Sequence, residues 1–170
     1  ELIAEMTRVL PHMEVQITTE TFGQYTALHQ RELVQTLAPE HVSIALREQD
    51  PESDETEAHR FYHWAQDAGI DIQHILYAPA DLARLEQLQV RNVIPDTPQR
   101  VLLVLGRYED SLSSLPANLD LFLDATNRQM RWMACAFGQA ETDCLIHAYK
   151  RGGEMRIGFE NNEMNADGSR

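Results

Sequence analysis

The run Arg156-Ile157-Gly158-Phe159-Glu160 read as a strand sends alternate side chains to opposite faces. Arg156, Gly158 and Glu160 then share one face, and Ile157 and Phe159 share the other. The apolar pair belongs against helices, which leaves the arginine and the glutamate on the polar, inward face. Their Cα atoms would stand about 13 Å apart, a gap that the long arginine side chain can narrow. Two kinds of chemistry fit the pair: a structural ion pair, or a site in which Glu160 binds a metal and Arg156 binds an anion. Polar residues also collect where other strands should end, as Thr18-Thr19-Glu20, Arg47-Glu48, Gly106-Arg107-Tyr108 and Gly138-Gln139.

Other chemistry-bearing residues read more simply. His59 and His63 stand four apart on a helical stretch, which is metal-ligand spacing. No glutamate follows His59, and the pair reads as boundary histidines. His74 lies mid-strand and reads as packed or hydrogen-bonded. The acidic run from Asp50 to Glu57 reads as a solvated loop and helix start. Trp64 and Trp132 read as packing residues. Cys135 and Cys144 lack Cys-x-x-Cys spacing and read as buried thiols in a reducing, cytoplasmic setting.

Composition bounds what such a site can serve. In 170 residues, 27 Asp and Glu outweigh 14 Lys and Arg, for a formal net charge of -13. That argues against a nucleic-acid or anionic-membrane partner, which demands a basic face. At 43% hydrophobic residues the chain can bury a core and is not a disordered polyelectrolyte. The apolar run Val101 to Leu105 is strand-sized, far below the roughly 18 residues of a membrane span.

The elements that must position these residues alternate in period. Strands are expected over 14–19, 41–46, 72–76, 100–105, 132–137 and 154–159, and helices over 1–10, 29–37, 54–69, 79–88, 115–128 and 141–150. Asp54 followed by Glu57 marks a helix start, and Gly69 a left-handed stop. Strand starts recur about every 22–32 residues, the size of a strand-plus-helix unit, which implies a parallel α/β sheet. No Gly-x-Gly-x-x-Gly supports a doubly wound nucleotide fold. A (β/α)8 TIM barrel has eight units, so the chain is expected to be one α/β-barrel domain over 1–170 holding about six of them, without the first strands and the C-terminal helix. A closed six-stranded barrel is the rarer alternative. An open barrel exposes two sheet edges, and instability or association of the chain alone is the expected consequence.

The stretch Gly152-Gly153-Glu-Met-Arg156-Ile-Gly158-Phe-Glu160-Asn161-Asn162 resembles the final-strand signature of the β-keto acid cleavage enzymes, Gly-Gly-His-x-Arg-x-Gly-x-Glu-Asp/Asn-Asn. The type member is the 3-keto-5-aminohexanoate cleavage enzyme. Thr18-Thr19 at a strand end, Pro39-Glu40 before the next strand, Leu105-Gly106 at a strand end and the aromatic-led strand from Trp132 to Gly138 follow in the same order. The resemblance implies a (β/α)8 barrel holding one divalent metal, usually zinc. It implies a reverse-Claisen acyl transfer in which a β-keto acid and acetyl-CoA give acetoacetate and a new CoA thioester, and a homo-oligomer. By position it makes Glu160 a metal ligand and Arg156 the catalytic arginine. It places Thr18 and Thr19 near the substrate carboxylate, and Gly106 and Gln73 on the substrate side.

The departures are also specific. No His-x-His occurs in the chain, so two of three expected metal ligands are absent from it. Asn161 takes a catalytic position where the type member has Asp, and an amide cannot act as a base. Glu20 follows the threonines where Gly is usual. Gln73 stands where members acting on amino-bearing substrates carry Glu, which implies a substrate without an amino group. The other readings are a different metal-dependent barrel lyase or aldolase, since fold does not fix chemistry, and a non-catalytic partial barrel.

Overall fold

The computed structural model describes residues 2–21, 23–49, 54–107, 114–165 and 167–170. The Tyr108 end of the fourth strand and residues 50–53 of the acidic run lie outside them. Six strands alternate with helices: α1 Leu2–Val9, β1 Gln16–Thr18, α2 Ala27–Leu37, β2 His41–Ala45, α3 Leu46–Gln49, α4 Glu55–Asp67, β3 Asp71–Leu76, α5 Pro79–Val90, β4 Arg100–Leu105, α6 Pro116–Leu123, β5 Arg131–Ala136, α7 Glu141–Lys150 and β6 Glu154–Met155. Each strand pairs in parallel with the next, in the order β1-β2-β3-β4-β5-β6. That order has no reversal, so there is no switch point of the doubly wound kind. The sheet is a curled, open half-barrel flanked by helices, a partial (β/α)8-like fold.

Helix boundaries follow the sequence signals. The Asp54 side chain accepts from the Glu57 backbone N–H at 3.1 Å and opens α4. Gly69, at φ +72°, follows its last turn. Pro79 and Pro116 open α5 and α6, where a missing N–H costs nothing. The helix expected over 115–128 stops at Leu123. Beyond it, Thr126 bonds Glu86, and Arg128 bonds Gln89 and Asp96, so polar side chains tie this segment down as a loop. The amphipathic α1 buries none of its residues.

The sheet buries both faces. Val42, Ile44, Leu76, Val101, Leu103 and Leu105 pack with helix residues such as Phe61, Leu85, Leu119, Phe122 and Cys144. Ala45, Ile75, Tyr77, Leu102, Val104 and Cys135 form a second, smaller cluster on the inner face. The apolar run of β4 is therefore buried on both sides, as a central parallel strand requires. Trp64 and Trp132 pack against the helix-side core, and both cysteines are free and buried.

His74 is on the helix side, its ring 5.7 Å from that of Tyr62, with Nε2 3.2 Å from Gln99 Oε1. Burial pushes its pKa down from 6.5 to about 4. A depressed folded value means that below about pH 6.5 the unfolded chain takes a proton which the folded one refuses. Stability is then flat above about pH 7 from this group and falls between pH 6.5 and 4, by at most about 3 kcal/mol. Urea unfolding of the parent and His74→Gln across that range checks this. The variant should lose less on the acid side, and an equal loss contradicts the account.

Candidate active site

The carboxyl ends of the strands converge on β4, β5 and the turn after β6. At the end of β4, Gly106 has φ +80°, and a Cβ there would lie 2.2 Å from Ser114 Oγ and 3.0 Å from Ser114 N. Only glycine fits both the backbone and the space. Ser114 Oγ sits 3.2 Å from the Leu105 carbonyl and 2.5 Å from that of Phe137, which fastens the ends of β4 and β5 together. The turn delivers Arg107 over the Phe137 ring, 4.8 Å from its centroid.

The final strand is shorter than its alternation suggests. β6 is only Glu154–Met155, followed by one more ladder bond from the Arg156 N–H to the Ala134 carbonyl at 2.9 Å. The chain then turns. Asn161 N donates to Gly158 O at 2.9 Å, and Gly138 N donates to Asn161 O at 3.1 Å. Gly and Asn favour such turns over strand continuation. The expected strand over 154–159 is corrected accordingly, and so is the apolar face. Ile157 is 72% exposed and Phe159 89% exposed, so neither packs against a helix among the described residues. The turn brings Glu160 back onto Arg156, with Nη2 to Oε2 at 2.7 Å, a closer approach than an extended strand permits. Arg107 Nη1 approaches the other carboxylate oxygen at 3.5 Å. One carboxylate is thus held between two guanidiniums.

Cys135 faces this cluster from the inner side of β5. Burial pushes its thiol up to about 11, while Arg156 and the Asn161 side chain pull the other way. That value marks a protonated, unreactive thiol. Asn161 is buried, and neither atom of its amide has a hydrogen-bond partner of ordinary geometry among the described residues. The weak Cys135 thiol is its neighbour. A buried amide in that state is a group that a ligand or water can satisfy.

On the other side, Thr18, Ser43 and Gln73 stand in register on β1, β2 and β3. Gln73 accepts from Gln16 Nε2 at 3.1 Å and lies 3.9 Å from Met133 Sδ. Thr18 Oγ1 accepts from Glu20 N at 3.2 Å. Thr19 Oγ1 is buried without a partner among the described residues. A cavity of about 510 Å³ opens there, lined by both threonines, Glu20, Tyr25, His29 and Leu33 among others. Glu20 accepts the Tyr77 hydroxyl, and the Arg47 guanidinium lies 4.1 Å from the Tyr77 ring centroid. Glu48 accepts from Thr21 N at 2.9 Å and Gln30 Nε2 at 3.2 Å. The site residues expected from sequence therefore fall in two groups. Arg156, Glu160 and Asn161 come together beside Gly106, whereas Thr18 and Thr19 line the β1-side cavity and Gln73 stands two strands from Thr18 in the same register.

Two features carried no local signal. Arg107 stands in the sequence as a strand-end residue, but Phe137 and Glu160, which it meets in the fold, lie far along the chain. Tyr77 reaches Glu20 across 57 residues. His59 Nδ1 and His63 Nε2 both meet the Asn92 carbonyl, at 2.6 and 3.2 Å, an arrangement that spends ring nitrogens on backbone.

The donor set decides what metal these residues could hold. Catalytic zinc takes three protein ligands. Among the described residues no group of three or more His, Cys, Asp or Glu could hold an ion, and both oxygens of Glu160 face arginines. The residues present do not make a zinc site, and no step below passes through one. No helix among the described residues is long and apolar enough to cross a membrane.

A family model described as beta-keto acid cleavage enzyme matches residues 1–170. No curated protein matches the chain.

Proposed function

Because the chain belongs to the beta-keto acid cleavage enzyme family, we propose that it transfers an acetyl group from acetyl-CoA to a β-keto acid, releasing acetoacetate and a new CoA thioester. The bookkeeping of atoms is simple. The C2–C3 bond of the keto acid breaks, C2 bonds to the acetyl carbonyl carbon, and the CoA sulfur ends on the C3 acyl group. Negative charge develops on enolate and tetrahedral oxygens along the way, and the chemistry needs cations fixed where that charge appears.

The observation that carries this reading is the Arg156–Glu160 pair, closed at 2.7 Å at the strand ends beside the buried Asn161. Arg156 stabilises the developing oxyanion. Asn161 donates or accepts a hydrogen bond but moves no proton. Thr18 and Thr19 hold the substrate carboxylate, with the partnerless Thr19 hydroxyl as donor. Glu160 orients Arg156. The zinc that the family implies would find one ligand here in Glu160 and would need others. A cytoplasmic setting accords with the two free thiols.

The reading is tested by incubating the protein with acetyl-CoA and a panel of β-keto acids and following acetoacetate and new thioester. Formation of both, dependent on both substrates, is the expected result, and consumption of neither contradicts it. The neutral Gln73 predicts a preference for acids without an amino group. Gln73→Glu should shift kcat/KM about tenfold or more towards an amino-bearing acid, from one charge-assisted bond. An unchanged ratio removes Gln73 from specificity.

A further inference from the structure

The histidine pair on α4 has no part in the chemistry at the strand ends. His59 and His63 lie one helical turn apart and half-buried, and their rings stack with centroids 4.0 Å apart and planes tilted by 35°. Both reach the carbonyl oxygen of Asn92, His59 through Nδ1 at 2.6 Å and His63 through Nε2 at 3.2 Å. Asn92 follows α5 with φ +58°, a left-handed conformation that asparagine tolerates. A carbonyl oxygen only accepts, so both of those ring nitrogens carry the hydrogen. In the neutral rings the lone pairs are then left on His59 Nε2 and His63 Nδ1. Neither of these nitrogens has a hydrogen-bond partner among the described residues.

Two bare imidazole nitrogens side by side suit one shared cation. A metal-binding histidine gives its second ring N–H to a carboxylate or a backbone carbonyl, which fixes the tautomer and makes the other nitrogen a better base. Here a single carbonyl does this for both rings. Two nitrogens bound at about 2.0–2.1 Å to a tetrahedral ion stand about 3.4 Å apart, so rings stacked at 4.0 Å need only a small adjustment to chelate it. The neighbouring charges are already matched, Glu55 with Arg91 and Glu57 with Arg60. Glu55 stands one turn before His59 on the same helix but is held by Arg91, so two imidazoles and water make up the coordination. This is a cation site in the helical layer, distinct from the three-ligand catalytic kind that the strand ends lack. The net charge of -13 favours the approach of a cation.

We propose that His59 and His63 together bind one divalent transition-metal ion of the imidazole-preferring kind, nickel, copper or zinc, and that the ion fastens α4 to the connection between α5 and β4. Coordination draws electron density from each ring and makes its N–H a stronger, charge-assisted donor to Asn92. The site is independent of the reaction proposed above.

The test titrates the chelator-treated full chain with zinc ion, and with magnesium ion as a hard-cation control, above the pH at which imidazole is protonated. Calorimetry reads affinity, and NMR of the histidine ring protons reads place. His59→Asn and His63→Gln are compared with the parent, because each amide keeps a donor to Asn92 where Nδ1 or Nε2 stood and removes the second ring nitrogen. In the parent, zinc should shift the His59 and His63 ring signals together, at a stoichiometry of about one ion per pair, and magnesium should move neither. Each variant should weaken this binding about tenfold or more, since one of its two protein ligands is gone. Unchanged affinity in either variant overturns the proposal. Zinc that moves other histidine signals and leaves these two in place means an adventitious ion only, and overturns it too. So does a parent that shows no binding at about 1 mM zinc, the weak end of specific affinity. If a variant fails to fold, the ring signals of the parent decide.

Discussion

Arg156→Met lowers kcat on the β-keto acid about 10²–10³-fold, the typical cost of removing one preorganised donor to a developing oxyanion. It leaves the fold almost untouched. Arg156 follows the last residue of β6, its side chain bonds Glu160 in the turn, and neither partner is deeply buried. Exposed ion pairs of this kind contribute little to stability, so the expected change is within about 0.5 kcal/mol. The contrast between the two numbers is the content of the prediction. A structural ion pair would behave in the opposite way, with some loss of stability and turnover preserved. Steady-state kinetics beside urea unfolding distinguish them. The loss should appear in kcat more than in KM, because the arginine acts on charge that is present only as the reaction proceeds.

Gly106→Ala destabilises the protein by about 2–4 kcal/mol, the sum of a left-handed backbone imposed on a residue with a Cβ and a steric overlap. The overlap is with Ser114, whose hydroxyl would lie 2.2 Å from the new carbon and whose backbone nitrogen would lie 3.0 Å away. Ser114 cannot simply rotate away, because the same oxygen joins the carbonyls of Leu105 and Phe137. The strain therefore spreads to the ends of β4 and β5, where Arg107 and Phe137 sit. Activity should fall along with stability, and by more than the unfolded fraction explains, since the mouth is misaligned even in folded molecules. Thermal unfolding with activity measured well below the midpoint checks both parts. An unaltered midpoint would show that the turn is not held as described. Glycine at 106 thus has a structural cause independent of any contact with substrate.

The sequence made some of this architecture legible because the signals are local. Val101 to Leu105 announces a strand buried on both faces, Asp54 and Glu57 announce a helix start, and Gly69 a helix end. Strand-plus-helix spacing alone leads to a parallel sheet in sequential order. β6 was less legible, because alternation in 154–159 mimics a strand while Gly158, Asn161 and Asn162 close a turn whose bonds run to each other and to Gly138. Period two cannot register that competition. The loop over 124–128 escaped for a similar reason, since its polar anchors Glu86, Gln89 and Asp96 lie on other segments. At the site, the motif gave Arg156, Glu160 and Asn161 together. Arg107 and Tyr77 depend on partners brought close only by the curl of the sheet, and no spacing in the chain encodes them.

The most direct measurement uses acetyl-CoA labelled with carbon-13 in both acetyl carbons, together with an unlabelled β-keto acid and the full polypeptide, and reads the products by mass spectrometry and NMR. Transfer by the proposed reaction puts both labels in C3 and C4 of acetoacetate and none in the acyl part of the new CoA thioester. Labelled acetyl carbons in that thioester, or acetoacetate that carries no label, would contradict acetyl transfer to the β-keto acid.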